Sequence, residues 1–260
     1  MPRRSKPSRP SPKSGPKPIG QRTTEDERLF ESTPVPDRGG FTHTDPWRVL
    51  RITGEFVQGF DELADVEWAV VVFGSARTPR EAPWYLRAVE TAKLLGKEKF
   101  AIITGGGPGI MEAANKGAKE SGTESIGLNI ELPHEQYANP YLDREIDFRY
   151  FFVRKTMFVK YACAFVVFPG GYGSMDELFE ALTLIQTGKV KNFPVVLIGT
   201  TYWKGLVDWL EHTVAAERNI APEDLLLFHV TDDPAEAVRI IVDGRRRMIA
   251  ASRAGPKATV

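Results

Sequence analysis

Glu177 closes the stretch Phe168-Pro169-Gly170-Gly171-Tyr172-Gly173-Ser174-Met175-Asp176-Glu177, where an apolar run gives way to a helical pattern. Gly170, Gly171 and Gly173 let backbone amides come close to an anion, and the N-terminus of a helix favours negative charge. Ser174 is placed to cap that helix. Glu177 stands three residues on, at the spacing of a capping box. Glu177 therefore has two readings: a reciprocal cap, or a carboxylate that faces a ligand. Glu180 lies further along the same face.

A second glycine-rich turn precedes it in the chain, Thr104-Gly105-Gly106-Gly107-Pro108-Gly109-Ile110-Met111-Glu112. Gly105, Gly106, Gly107 and Gly109 exceed what a tight turn requires, and phosphate is the natural ligand of such a loop. It is not the dinucleotide fingerprint, because the third glycine position holds Ile110, and no Gly-x-x-x-x-Gly-Lys-Ser/Thr loop exists. A smaller turn, Gly74-Ser75-Ala76-Arg77, offers the Ser75 hydroxyl to the same region, while Arg77 reads as a surface charge. Arg154 and Lys155 stand among Phe151, Phe152, Val153 and Met157. Adjacent helical residues diverge by about 100°, so one of the two cations can enter a site. Snorkelling of both at a helix surface is the alternative.

Other chemistry finds little support. His43, His134, His212 and His229 show no metal-ligand spacing, so no metal is expected. Ser75 and Ser174 lack the Gly-x-Ser-x-Gly elbow of an α/β-hydrolase. Cys163 is the single cysteine, which excludes a disulfide framework, and it reads as packed rather than nucleophilic.

The elements that must position these residues follow from the apolar pattern. Continuous apolar runs at 68–73, 100–104, 125–130, 164–168, 194–198 and 225–230 have the character of buried parallel strands. Helical patterns lie between them, near 83–97, 109–121, 152–162, 174–187, 203–218 and 234–250. An earlier helix opens at Asp45-Pro46 and places Val49, Ile52, Phe56, Phe60 and Leu63 on one face. Strand–helix alternation implies an α/β fold, a single Rossmann-like domain with an open parallel sheet and helices on both faces. Residues 132–148 read as a polar inserted loop. In such sheets ligands bind beyond the carboxyl ends of the strands, where all three turns fall.

The 260 residues are 42% hydrophobic, enough for a sizeable core, but residues 1–40 are rich in Pro, Ser, Lys and Arg. They are expected to be a disordered tail, residues 41–250 the folded domain, and 251–260 a flexible end. Seven basic residues and no acid precede Glu25; removing them from 34 basic residues leaves 27 against 34 acids. An acidic body argues against stable nucleic-acid binding. No apolar run spans a membrane and no secretory leader is visible, so a cytoplasmic protein is expected.

Gly105-Gly106-Gly107-Pro108-Gly109-Ile110-Met111-Glu112-Ala113-Ala114-Asn115, paired with Pro169-Gly170-Gly171-Tyr172-Gly173-Ser174-x-x-Glu177, closely resembles the LOG (Lonely guy) family, whose members are also labelled lysine decarboxylase. The resemblance covers roughly residues 67–220, with Ser174 where the family has Thr. It implies hydrolysis of the N-glycosidic bond of a nucleoside 5′-monophosphate, either a cytokinin riboside 5′-monophosphate or an AMP-like substrate. Arg154 and Glu177 match the family's catalytic pair, and Arg154-Lys155 its Arg-Lys pair. The glycine turns with Ser75 and Ser174 would hold the nucleotide, and Lys155 and Glu180 would touch substrate. No cofactor is implied, and a homodimer or larger homo-oligomer is. The alternatives are a nucleotide-binding sensor without catalysis and a pyridoxal-dependent lysine decarboxylase using Lys155 or Lys160.

Overall fold

A computed structural model describes residues 24–30, 45–132 and 138–253. Seven parallel strands form one sheet: β1 (Ala69–Phe73), β2 (Ala101–Thr104), β3 (Ser125–Ile130), β4 (Arg144–Phe148), β5 (Ala162–Val167), β6 (Val195–Ile198) and β7 (Phe228–Thr231). Their spatial order is β4-β3-β2-β1-β5-β6-β7. The expected α/β architecture is therefore present. Helices α1 (Glu25–Leu29) and α2 (Asp45–Glu62) precede the sheet. Helices α3 (Pro83–Lys97), α4 (Ile110–Ser121), α5 (Phe151–Tyr161), α6 (Tyr172–Gln186), α7 (Thr200–Trp209) and α8 (Pro234–Arg253) connect or follow its strands.

The central strands β1, β5 and β6 are uniformly apolar because both faces of the sheet are covered there. Val71, Phe73, Phe165, Val167, Val195 and Leu197 point to one core with Phe158, Leu178 and Trp203. Val70, Val72, Ala164, Val166, Val196 and Ile198 point to the other, against Tyr85, Ala88, Ala113, Ala237 and Ile241. Cys163 lies in the second core, its thiol pushed up to about 12 by burial, so it packs as a small apolar group and disfavours the thiolate.

Four segments differ from the sequence expectation. Residues 144–148, inside the expected loop, form the edge strand β4, with Ile146 and Phe148 buried while Glu145 and Asp147 are exposed. This period-2 pattern marks a half-covered edge rather than a buried strand, and charged residues suit an edge. Residues 133–137 of that stretch lie outside the described residues. The last apolar run splits: Pro222–Leu226 forms a 3₁₀ turn, and β7 starts only at Phe228. Within the stretch expected to be a disordered tail, Thr24 caps a short helix, α1, and Glu25 is buried; the other residues of 1–40 beyond Phe30 and before Thr24 lie outside the described ones. At the other end α8 runs to Arg253, three residues into the expected flexible end. Among the described residues no helix is long and apolar enough to cross a membrane.

The topology decides where a ligand can sit. From β1 the chain moves outward through β2, β3 and β4, and then α5 carries it back to β5 on the other side of β1. The strand order reverses at β1, so the loops after β1 and β5 part and leave a crevice at the carboxyl edge. Because β4 ends at Phe148, the N-terminus of α5 hangs over this same edge.

Candidate active site

A cavity of about 690 Å³ fills that crevice, within the ~300–1,000 Å³ of small-molecule sites. Gly74, Ser75 and Arg77 after β1, Gly105 after β2, Arg154 of α5, and Gly171, Gly173, Ser174 and Glu177 around the start of α6 all line it. Met111, Ile130, Leu132, Phe151, Phe158 and Met175 supply an apolar wall. The sequence singles out none of these six as site residues, because apolar side chains near a turn look the same whether they face a core or a ligand.

The α6 loop is the open one. A Cβ on Gly171 or on Gly173 would meet nothing within 4 Å, so the fold itself demands glycine at neither position. Space around the backbone at the N-terminus of a 15-residue helix fits an incoming anion. Gly170 differs, since a Cβ there would strike Ser174 Oγ at 2.1 Å.

The β2–α4 loop is braced internally. Gly106 N donates to Thr104 Oγ1 at 2.9 Å, and Ile110 N donates to the Ser75 carbonyl at 3.0 Å. Asn139 Nδ2 donates to the carbonyls of Gly106 and Gly107 (3.0 and 3.1 Å) and to Asn115 Oδ1 (2.9 Å). Gly109 has φ +68°, and a Cβ there would lie 2.3 Å from the Ser75 carbonyl oxygen, so this glycine joins two loops. Of the four glycines expected to hold phosphate, Gly105 reaches the cavity, while Gly106, Gly107 and Gly109 shape the loop. Asn139 leaves no sign of this brace in the local sequence because the groups its side-chain amide donates to are more than 20 residues away. The Ser75 hydroxyl accepts from Arg77 N at 3.1 Å and so also stabilises its own turn.

Glu177 is 4% exposed, and its Oε2 has no hydrogen-bond partner. The capping-box reading fails. α6 opens at Tyr172 with Gly171 as its N-cap, so Ser174 sits inside the first turn and Glu177 a turn further along. Burial pushes the Glu177 carboxyl up to about 7; Lys155 and Arg154 pull it down, and Glu180 and Asp176 push it up.

Arg154 and Lys155 separate as helical geometry requires. Arg154 enters the cavity, its guanidinium 5.0 Å from the Phe151 ring centre and 5.5 Å from that of Phe158. Burial lowers its proton affinity, while Glu177, Asp26 and Asp176 hold the proton on. Lys155 Nζ turns to Asp176 (2.9 Å) and Glu180 (3.2 Å). Neither Lys155 nor Glu180, the two expected substrate contacts, lines the cavity; they brace α5 against α6.

A buried carboxylate and a half-buried guanidinium thus share one crevice beside a helix N-terminus. Such an arrangement in an α/β protein can take an anion and stabilise charge on a bound ligand. The sequence model of the family described as "Possible lysine decarboxylase" matches residues 111–241, half of the chain, and the chain belongs to this family. It is the family that the paired glycine motifs identify as LOG. The probable cytokinin riboside 5′-monophosphate phosphoribohydrolase LOG4 of Oryza sativa subsp. japonica is 29% identical over 161 residues, 58% of this chain and 69% of that one. The pyrimidine/purine nucleotide 5′-monophosphate nucleosidase of Escherichia coli is 29% identical over 171 residues, 60% of this chain but 36% of that longer one. The X-ray structure of a structural-genomics target superposes with a TM-score of 0.54 at 25% identity, covering 68% of this chain and 99% of that one.

The raised Glu177 carboxyl sets a pH dependence. If the charged form is the active one, kcat/KM falls about tenfold per pH unit below about 7, and levels off above it. A proton-donating Glu177 gives the opposite limb, so the slope of kcat/KM between pH 5 and 8 decides its protonation state.

Proposed function

We propose that the protein hydrolyses the N-glycosidic bond of a nucleoside 5′-monophosphate. Water adds at the anomeric carbon, the base leaves carrying a proton, and ribose 5-phosphate remains. The single observation behind this reading is the buried Glu177 carboxylate, its Oε2 without a partner, in the crevice that Arg154 also enters. Breaking the bond leaves oxocarbenium-like positive charge on the ribose, and a buried carboxylate beside the ring stabilises it. Arg154 stabilises negative charge on the departing base or on the phosphate. The open N-terminus of α6 takes the phosphate and positions the reacting carbon.

The apolar wall of Met111, Ile130, Leu132, Phe151, Phe158 and Met175 suits a purine, including adenine that carries an apolar substituent as in a cytokinin nucleotide. A lysine-dependent decarboxylase is disfavoured by the lining: among the described residues no lysine faces the cavity, and Lys155 is bound by two carboxylates. Val49, Leu50 and Val57 form an exposed apolar stripe on α2, which supports self-association. The reading also carries a cytoplasmic location.

The reaction is tested with AMP, its prenylated derivative, a pyrimidine monophosphate and unphosphorylated adenosine, with free base as the readout. The monophosphates release base and adenosine does so at least ~100-fold more slowly, because remote phosphate binding drives the reacting centre. Equal rates on AMP and adenosine would remove the phosphate from the mechanism.

A further inference from the structure

Arg154 sits on the first turn of α5, and the cap residue of that helix, Tyr150, supplies no side-chain hydrogen bond. The N–H groups there are satisfied instead by two carboxylates from far upstream. Glu55 of α2 accepts from Arg149 N at 3.1 Å and from Tyr150 N at 3.3 Å. Asp26 of α1 accepts from Phe151 N at 3.1 Å through Oδ2. Its other oxygen, Oδ1, is buried without a hydrogen-bond partner, and so is Nε of Arg154. Burial raises the Asp26 carboxyl and lowers the proton affinity of Arg154, and the attraction between the two side chains opposes both shifts.

The segment that delivers Asp26 is fastened at several points. Thr24 Oγ1 accepts from Glu27 N at 3.2 Å. Glu25 accepts from Arg28 and from Arg51 of α2, each at 2.7 Å. Leu29 packs against the core that contains Tyr150, Val153 and Phe158. None of the residues on this segment lies within 111–241, the part the family model matches.

We propose that Asp26 is a positioning residue of the active site: the N-terminal segment docks on α5, holds its first turn and aligns Arg154 toward the nucleotide. Capping of Phe151 N fixes where the helix begins. A negative charge near a half-buried guanidinium restricts where its planar fork points and offsets part of its desolvation. This rests on the phosphoribohydrolase reading, and the experiment separates the two.

The full chain is compared with Asp26→Ala, which removes cap and charge, and Asp26→Asn, which keeps an acceptor for Phe151 N and removes only the charge. Steady-state kinetics on the nucleotide the wild type turns over best, AMP affinity by calorimetry, and melting temperature are read on the same preparations. Asp26→Ala lowers kcat at least ~10-fold with KM within threefold, and Asp26→Asn falls between it and the wild type. A purely structural cap would lower the melting temperature and leave kcat alone. A chain lacking residues 1–30 has at least ~10-fold lower kcat than one lacking residues 1–23, and equal turnover of the two overturns the proposal. So does kcat within twofold of wild type in Asp26→Ala, or in Asp26→Asn if the alanine variant does not fold. A wild type that releases no base from any monophosphate sinks the phosphoribohydrolase reading instead. Asp26 is then judged on AMP binding, where at least ~5-fold weaker affinity in Asp26→Ala supports its role and unchanged affinity refutes it.

Discussion

Glu177→Gln lowers kcat by at least ~100-fold while the protein stays folded and becomes more stable above neutral pH. The first half follows from charge. Gln keeps the size and the hydrogen-bonding ability of the side chain but cannot carry the negative charge that an oxocarbenium-like transition state needs, and loss of one electrostatic stabiliser costs ~100- to 1,000-fold. The second half follows from linkage. The folded protein raises this carboxyl from 4.5 to about 7, so the native state binds the proton more tightly than the unfolded chain. The associated stabilisation is complete below pH 4.5 and is lost as the pH rises through 7. Above that, holding the ion costs about 3 kcal/mol, since each tenfold gain in proton affinity is worth ~1.4 kcal/mol. The raised value already contains the attraction of Lys155 and Arg154. Gln does not titrate, so the two proteins melt alike near pH 4.5 and the variant melts higher at pH 8. Turnover and melting temperature measured across that range check both halves. A near-normal kcat removes Glu177 from catalysis, and a lower melting temperature at pH 8 makes it a structural residue.

Arg154→Ala and Arg154→Lys both lose at least ~100-fold in kcat, and the lysine variant recovers less than tenfold of it. Lysine would be a mild change at a solvated surface. Here the side chain is half-buried beside the rings of Phe151 and Phe158, where an ammonium is less well solvated than in water and cannot reproduce the planar fork. KM for the monophosphate rises only a few fold, since the α6 loop is untouched. Full activity in Arg154→Lys would mean that a point charge suffices and that no directed contact is made. Circular dichroism and melting curves on the same samples exclude loss of fold.

Much of this protein is written locally in its sequence. The apolar runs became β1, β2, β3, β5 and β6 because a strand buried on both faces tolerates little polar substitution, and that constraint is readable one run at a time. The glycine turns were visible because backbone that must approach a ligand or another loop cannot carry a side chain. Glu177 stood out at the end of one such turn, where a cap would have the same spacing, and Arg154 by its aromatic and aliphatic neighbours and the family resemblance. Tertiary structure decided the rest. Spacing alone made Glu177 a cap or a ligand group, and the start of α6 at Tyr172 chose between them. Helical geometry allowed one cation of the Arg154–Lys155 pair into the site, and the pairing of Lys155 with Asp176 and Glu180 decided which. Edge strand β4 was hidden because half-covered strands keep polar residues. The α1 segment looked too poor in apolar surface to order. It is held by Arg51 and by the backbone of Phe151, and partners 26 and 125 residues away leave no periodic mark in a sequence.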